Sequence, residues 1–331
     1  MPKRSSTLIL TRSDVQRVLD YDSCVSALER AFAADVNETI PAAVLGTQVH
    51  GGGFHVKTAG LAGERSYYVA KINANFPDNP KLRRLPTVQG VICLYSAEDG
   101  RLLALLDSME ITSVRTAAAS AVAAKYLARP DSHTMTIIGC GNQGRHHLLA
   151  MSRVLEMERV YAADSDYESA VSFQSAMRDR GNWEIIPVDG YHESVRNSDV
   201  VVTCTSSSAI LLDDGDVGPG TFIAAVGADS ESKREIGSRL MATSKVVADV
   251  LEQCATIGDL HHAIDEGVMS RDMIHAELAD IVALRKPGRT SVDEVTLFDS
   301  TGTAIEDVAA CSLVYERAVK SKIGLEINLG V

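Results

Sequence analysis

The sequence predicts an α/β protein with two domains: one with a doubly wound parallel sheet, and an α+β domain with a mostly antiparallel sheet. Within residues 134–147 a short strand runs into a glycine-rich turn and a helix, after which strands and helices alternate along the chain. Before this unit, residues 40–107 alternate apolar and polar positions with the period of two that is typical of strands. A chain of 331 residues is long enough for both domains.

Charge, apolar runs and cysteine spacing indicate which partners and which cellular location to expect. The formal net charge of −12 argues against a nucleic-acid partner, because a phosphate backbone binds to basic surfaces. The first ten residues lack the apolar run of a signal peptide, and no stretch approaches the roughly 20 apolar residues of a membrane span. The cysteines have no paired spacing, which favours a reducing compartment and gives no zinc site. We therefore expect a cytoplasmic protein with no membrane contact and no bound metal.

The elements before the glycine-rich turn follow from spacing and turn signals. Residues 12–36 have apolar side chains at helical spacing and predict one helix or a pair of helices. Asp99-Gly100 lies between two apolar runs and predicts a hairpin. An alanine-rich helix follows, from about residue 108 or 110 to residue 128, and Pro130 ends it. The strands expected in this half are 54–58, 67–76, 87–95 and 101–106.

The strand at 67–76 has two different faces. Lys71, Asn73 and Asn75 share one face, and the apolar residues between them share the other. A lysine in this position can bind a carboxylate or act as an acid or base if it is removed from water. Alternation alone favours the other interpretation, a polar face exposed to solvent.

The glycine-rich turn has the Gly-x-Gly-x-x-Gly spacing of a dinucleotide-binding loop. We assign Gly139 to the tight turn, Gly141 to the space for a pyrophosphate, and Gly144 to close packing of helix on strand. The helix that follows begins near Asn142 and Gln143 and offers backbone N–H groups to the pyrophosphate. This unit predicts a Rossmann domain, although glycine-rich turns also occur for purely structural reasons.

A second strand, at 159–163, ends at Asp164. An acidic residue at about this distance from the first glycine binds the adenosine ribose of NAD and repels the extra phosphate of NADP. NAD is therefore the expected cofactor, and NADP is less favoured. The alternative is that Asp164 caps a helix, because Ser165 and Asp166 open a helical segment.

The later strands extend the parallel sheet. They are expected at 184–188, 199–204, 221–226, 245–249 and 294–298. A helical section near 251–280 separates the last two strands, and a final helix is expected at 303–321. Open α/β sheets bind their ligands at the carboxyl ends of the strands. The residues at these ends that we expect to contact the cofactor are Thr203, Thr205, Val226, Gly227 and Ser300.

Besides Lys71, two side chains are candidates for the chemistry. Arg115 can clamp a substrate carboxylate or reach the pyrophosphate, or it can be an ordinary surface arginine. Asp229 follows a strand and can act as a base or bind an ammonium group, or it can form a turn. His55 and Lys57 share one face of their strand and are candidates for the same pocket, with exposed charge as the alternative. No Ser/His/Asp or Cys/His arrangement can be inferred.

Together these stretches resemble the ornithine cyclodeaminase/μ-crystallin family over essentially the whole chain. The segments that carry the resemblance are 71–79, 87–90, 107–118, 138–144, 225–229 and 298–307. Members of this family transfer hydride between a nicotinamide and the α-carbon of an amino or imino acid. They include cyclodeaminases, alanine dehydrogenases, imino-acid reductases and opine-like dehydrogenases.

The resemblance implies roles for individual residues. Lys71 matches the lysine that binds the substrate carboxylate and assists proton transfer, and Arg115 matches the arginine that bridges substrate and cofactor. Thr87 and Thr116 match cofactor contacts, and Asp229 matches the aspartate that acts on the amino groups of cyclodeaminase substrates. The resemblance also implies a homodimer in which the antiparallel sheets pair. The domains would be residues 1–115 plus 305–331 for substrate binding and dimerisation, and residues 116–304 for NAD binding.

Two departures from the family pattern concern the substrate. Cyclodeaminases have an arginine shortly after an early proline, whereas here Pro41 precedes two alanines. They also have a carboxylate near the position of His55, where this chain has the basic pair His55 and Lys57. We therefore expect an amino-acid dehydrogenase or an imine reductase, with two alternatives. One is an ornithine cyclodeaminase, and the other is a non-catalytic NAD(P)H-binding protein of the crystallin type.

Overall fold

The computed structural model describes residues 6–34 and 38–329. Contacts divide the chain into two compact units. The discontinuous unit consists of Met1–Arg115 and Thr303–Val331, and the continuous unit is Thr116–Gly302. One unit contains a mostly antiparallel sheet and the other a parallel sheet, so the predicted fold class is confirmed. The functions assigned to the two units stay predictions.

The discontinuous unit holds both ends of the described chain. Its elements are β1 (Thr7–Leu10), α1 (Arg12–Val18), α2 (Tyr21–Ala33), β2 (Thr39–Val49), β3 (Gly52–Leu61), β4 (Tyr67–Asn75), α3 (Asn79–Arg83), β5 (Val88–Ser96), β6 (Leu102–Asp107), the first part of α4 (Ser108–Leu127), α12 (Ala304–Ser321) and β15 (Leu325–Ile327). The strands are ordered β15-β1-β6-β5-β4-β3-β2. Each neighbouring pair is antiparallel except β1 with β6. The helical region that begins at residue 12 is a pair, because Asp20 accepts a hydrogen bond from the Ser23 N–H and starts a second helix.

Strand register decides which side chains share a face of this sheet. Lys57 lies opposite Lys71, and His55 lies opposite Asn73, so all four lie on one face. Lys71 is only 3% exposed. The interpretation of this face as solvated, which alternation favoured, is therefore wrong. The reason is that α12 packs against β3 and β4, and its acidic residues replace water around Lys71.

The other face of the sheet is apolar and open. Leu45, Val56, Ile72 and Val91 are cross-strand neighbours in one row across β2, β3, β4 and β5. Leu45 is 63% exposed and Ile72 is 42% exposed. Such a row of large apolar side chains is unusual on the surface of a monomer.

In the continuous unit, strands and helices alternate along the chain. It contains the rest of α4, followed by β7 (Thr134–Ile138), α5 (Asn142–Met151), β8 (Arg159–Ala163), α6 (Tyr167–Met177), β9 (Glu184–Val188), α7 (His192–Arg196), β10 (Val200–Thr203), β11 (Phe222–Ala225), α8 (Ser238–Thr243), β12 (Lys245–Ala248), α9 (Leu251–Ile257), α10 (Asp259–Asp265), β13 (Ala276–Glu277), α11 (Leu278–Val282) and β14 (Thr296–Asp299). The helical section expected near 251–280 thus consists of three short α-helices, a 3-10 helix at Arg271–Met273 and a two-residue strand.

All strands of the second sheet are parallel, in the order β13-β12-β14-β11-β10-β7-β8-β9. The strands of this sheet are continuous apolar runs, because both faces of the sheet are covered. In β10, for example, Val200, Val201 and Val202 are fully buried. Their carboxyl ends form one edge, which collects the loops after β7, β8, β10, β11 and β14. Among the described residues, no helix is long and apolar enough to cross a membrane.

Candidate active site

Lys71 and Arg115 meet at one carboxylate. Lys71 Nζ lies 2.5 Å from Oδ2 of Asp307, and Arg115 Nε donates to Oδ1 of the same residue at 3.1 Å. Arg115 Nη1 also donates to Oε2 of Glu306 at 2.6 Å. The side chains of Glu306 and Asp307 are fully buried, and those of Lys71 and Arg115 are nearly so. The structure therefore brings together two residues that the sequence singled out, and it excludes the interpretation of Arg115 as a surface arginine.

The start of α12 presents both acids to this site. Thr303 and Glu306 form a capping box, in which Oε1 of Glu306 accepts the Thr303 N–H at 3.0 Å. Because the cap uses Oε1, Oε2 of Glu306 is directed to Arg115. The cap thus fixes the first turn of α12, and Asp307 follows at the next position. Sequence reasoning places Glu306 and Asp307 in a family segment but assigns them no role.

The electrostatics of the cluster point to proton transfer. The pKa of Lys71 is lowered to about 8, mainly because the side chain is buried; Asp307 opposes this effect, and the charges of Arg115 and Lys57 add to it. Burial raises the pKa of Asp307, but Lys71 and Arg115 outweigh this effect and hold it below its usual value. A lysine with a pKa near neutrality can both give and take a proton, whereas Asp307 stays ionised and keeps the two cations in place.

Three other residues of this unit are assigned to substrate or cofactor: His55, Lys57 and Thr87. His55 and Lys57 lie on the face of Lys71, as the register requires, and both are half-buried. Thr87 lies just before β5, and its carbonyl oxygen accepts the Phe76 N–H at 2.8 Å. This bond closes the segment between β4 and β5.

The three glycines of the loop after β7 have three different surroundings. Gly139 has a φ of +107°, and a Cβ there would lie 2.9 Å from the Cys204 carbonyl oxygen. A Cβ on Gly144 would lie 2.3 Å from the Gly139 carbonyl oxygen, so this glycine lets α5 pack onto the loop. A Cβ on Gly141 would meet no protein atom within 4 Å. The loop thus leaves space at the position predicted for a pyrophosphate.

Asp164 is tied to the glycine loop. Its Oδ2 accepts the Cys140 N–H at 2.8 Å, and its Oδ1 accepts the Asp166 N–H at 3.1 Å. The residue that caps α6 is Asp166, whose side chain accepts the Glu168 N–H. The alternative interpretation of Asp164 as a helix cap is therefore wrong. Asp164 thus follows β8 and lies beside the glycine loop, and its role as a ribose ligand stays a prediction.

The loops after β10 and β11 share a buried acid that sequence reasoning did not identify. Thr203 ends β10, Thr205 follows it, and Val226 and Gly227 follow β11. Oε1 of Glu235 accepts the Thr205 N–H at 2.7 Å, and Oε2 accepts the Gly227 N–H at 2.8 Å. No local pattern marks Glu235, because its partners lie on other loops of the sheet.

The loop after β14 is held by another buried acid. Asp249 Oδ2 accepts N–H groups from Thr301 at 2.7 Å and Gly302 at 2.6 Å, and Ser300 Oγ lies 3.5 Å away. Asp229, by contrast, lies in an open part of the loop after β11. Its side chain is 53% exposed and pairs with Lys233 Nζ at 2.5 Å. Among residues 6–34 and 38–329, no group of acids, histidines or cysteines is arranged to bind a metal ion.

Comparison with known proteins identifies the class. The chain matches the model of the ornithine cyclodeaminase/mu-crystallin family over residues 5–322, and it belongs to this family. The expected family is thus confirmed.

The relatives include several dehydrogenases and reductases. Alanine dehydrogenase from Archaeoglobus fulgidus is 37% identical, with 97% of this chain and 98% of that protein covered. A Delta(1)-pyrroline-2-carboxylate reductase from Bacillus cereus is 33% identical over 78% of this chain and 79% of its own length. The solved structure of the Thermococcus litoralis Delta(1)-pyrroline-2-carboxylate reductase with NADH and L-proline has a TM-score of 0.92 and 34% identity, and covers 97% of this chain and 100% of that one. An archaeal alanine dehydrogenase dimer with bound NAD also has a TM-score of 0.92, with 36% identity over 98% of this chain and 100% of that one.

Proposed function

We propose that this protein is an NAD-dependent oxidoreductase that transfers hydride between the nicotinamide and the α-carbon of an α-amino or α-imino acid. The observation that carries this proposal is the buried cluster in which Lys71 and Arg115 are held by Asp307 and Glu306. A buried cation pair suits a carboxylate substrate, and a lysine with a lowered pKa suits proton transfer at the reacting nitrogen. Relatives named as amino-acid dehydrogenases and imino-acid reductases support the same reaction class.

The continuous unit has the features that a dinucleotide needs. Gly141 leaves open space at the start of α5, between two glycines whose positions tolerate no side chain. We assign Asp164, which follows β8 beside the glycine loop, to the adenosine ribose. The further contacts that we assign to NAD are Thr87, Arg115, Thr116, Gly139, Asn142, Gln143, Gly144, Thr203, Thr205, Val226, Gly227 and Ser300. We expect the protein to bind NADH more tightly than NADPH, and equal affinities would overturn the role given to Asp164.

Each catalytic residue has a defined task in this proposal. NAD, when bound, accepts or supplies the hydride, and the protein binds, orients and exchanges protons. Arg115 binds the substrate carboxylate, and Lys71 assists in binding it and moves the proton of the amino group. Asp229 binds the amino nitrogen or a water molecule once it leaves Lys233. His55 and Lys57 contact the substrate side chain, and their basic character disfavours a substrate with a distal ammonium group.

The protein is proposed to act as a homodimer. The row of Leu45, Val56, Ile72 and Val91 on the outer face of the antiparallel sheet is the surface that a second copy would cover. The similar archaeal alanine dehydrogenase with bound NAD is described as a dimer, which supports the same assembly. We also propose a cytoplasmic location, because the cysteines have no paired spacing.

The deciding experiment follows NADH absorbance with the purified protein. Amino acids are tested with NAD, and imino acids, or keto acids with amines, are tested with NADH. A net change in NADH with one of these substrates would support the proposal. Ammonia and proline formed from ornithine without net use of NAD would instead make the protein a cyclodeaminase. Binding of NADH without any turnover would favour a crystallin-like protein.

The pH dependence of turnover should follow Lys71. In the oxidative direction the neutral amine accepts a proton, so kcat should rise with pH and level off above the pKa of about 8. In the reductive direction the ammonium form gives the proton, so kcat should fall as pH rises through the same value. Both profiles can be measured at saturating substrate. Two profiles with the same slope would contradict this role for Lys71.

Two glycines of the loop give a matched test of the cofactor site. G141A should weaken NADH binding about tenfold or more, because the added methyl group occupies the pyrophosphate space, and it should leave thermal stability unchanged. G144A should instead lower the free energy of unfolding by about 1–3 kcal/mol, because its methyl group overlaps the Gly139 carbonyl. Titration of NADH fluorescence and thermal unfolding separate the two effects. Full NADH affinity in G141A would argue against this loop as the cofactor site.

A further inference from the structure

One carboxylate joins the loops after β10 and β11. Oε1 of Glu235 accepts both the N–H and the hydroxyl of Thr205, each at 2.7 Å, and Oε2 accepts the Gly227 N–H at 2.8 Å. Glu235 has no exposed surface. The two loops are thus held at a spacing set by a single buried group.

The surroundings of Glu235 leave it little freedom. Its own N–H and that of Ile236 both donate to Oδ1 of Asp259, at 2.7 and 2.8 Å, which fixes the backbone. A Cβ on Gly227 would lie within 2.4–2.5 Å of the Glu235 carboxylate. Gly227 therefore allows the loop after β11 to contact the carboxylate directly.

The order of the strands places these loops relative to the cofactor. The glycine loop follows β7, and Asp164 follows β8 on one side of it. β10 and β11 lie on the other side of β7. A dinucleotide with its pyrophosphate at the glycine loop and its adenosine ribose at Asp164 therefore extends its nicotinamide half towards the loops after β10 and β11.

We propose that Glu235 is a positioning residue for the nicotinamide half of the cofactor. It acts through Thr205 and Gly227, whose loops it fixes before the cofactor binds. This inference rests on the proposed function, because it requires NAD at the edge of the parallel sheet. It adds a residue that touches neither substrate nor cofactor but determines how well the nicotinamide is held.

The chemistry of the carboxylate explains why glutamine is not an adequate substitute. A carboxylate accepts hydrogen bonds at both oxygens, whereas the amide of glutamine has one accepting oxygen and one donating nitrogen. In E235Q, either Thr205 or Gly227 then faces a donor. Burial raises the pKa of Glu235, and the hydrogen bonds from Thr205 and Gly227 oppose that effect. The buried site thus needs an acceptor at both oxygen positions of the side chain.

The test compares two ligands. NADH contains the nicotinamide, whereas ADP contains only the adenosine and pyrophosphate that lie at Asp164 and the glycine loop. E235Q should weaken NADH binding about tenfold, the effect of losing a hydrogen bond to a charged group, and should change ADP binding less than about twofold. E266Q is the matched control, since Glu266 is an exposed carboxylate held by Arg234 and Ser238, and it should leave both affinities unchanged.

A second pair of variants keeps the test informative if E235Q unfolds. T205V removes the hydroxyl donor to Glu235, and T205S restores it. T205S should bind NADH about threefold or more tightly than T205V, with similar ADP affinities.

Equal weakening of NADH and ADP in E235Q would overturn the inference and indicate a general structural role. Unchanged NADH binding in E235Q would also overturn it. If the unsubstituted protein bound neither ligand, the proposed function itself would fail.

Discussion

Replacing Lys71 with alanine is expected to lower kcat about 10²- to 10⁴-fold, the range that a positioned acid or base contributes, and to leave NADH binding within about twofold. The reason is that Lys71 is the group of the buried cluster whose pKa, at about 8, allows it to exchange a proton near neutral pH. The measurements are steady-state kinetics with the substrate found in the absorbance assay, and titration of NADH fluorescence.

Two controls separate chemistry from structure in this variant. Asp307 keeps its contact with Arg115 at 3.1 Å after Lys71 is lost, so the cluster is not left with an unpaired acid. Added primary amines should restore part of the activity of K71A, because they can occupy the space of the side chain and carry the proton. Unchanged turnover in K71A would remove Lys71 from the mechanism.

Replacing Asp307 with alanine should affect both stability and activity. It leaves the buried Lys71 without its partner at 2.5 Å and removes one of the contacts of Arg115. We expect the free energy of unfolding to fall by about 3–5 kcal/mol, as when one partner of a buried ion pair is deleted. Turnover should fall as well, because Lys71 is then no longer held in place and Arg115, although it keeps its contact with Glu306, is held less firmly. Chemical denaturation and steady-state kinetics measure the two effects.

The source of this loss can be checked with further variants. D307N keeps the shape but not the charge, so it should lower the pKa of Lys71 and move the pH profile of turnover to lower pH. Because the folded-state pKa of Asp307 is lowered, its contribution to stability is present above its unfolded-state pKa and is lost as pH falls through the lower value. The double variant K71M/D307L should regain most of the stability and remain inactive. A D307A protein as stable as the original would contradict the importance of the pair.

The local parts of this structure could be predicted from the sequence. The glycine spacing predicts a turn, an open position and a packing contact, and Gly139, Gly141 and Gly144 have these three surroundings. Hydrophobic periods and the Asp-Gly turn predict β3 to β6 and most strands of the parallel sheet within a few residues, but they predict no strand at β1, β2, β13 or β15. These features depend on residues that are neighbours along the chain, so the spacing in a single sequence is enough to predict them.

The partners of the chemical groups could not be predicted in the same way. Lys71 has the alternation of a solvated strand, and only the packing of α12 shows that its face is buried. Asp307, Glu235 and Asp249 act through hydrogen bonds and ion pairs to residues on distant elements, and no local spacing identifies them. For the same reason, the sequence leaves Arg115 undecided between a carboxylate clamp and a surface residue.

The discontinuous unit has a consequence for how the protein is made. Residues 116–302 form a continuous unit that can fold while the ribosome is still adding residues. Lys71 is synthesised early, but its partner Asp307 lies on α12, which emerges late. We therefore expect the nascent chain to hold an assembled parallel sheet while the first unit is incomplete. The apolar surface that α12 covers would then be exposed during this interval, when the chain depends on chaperones or on rapid completion.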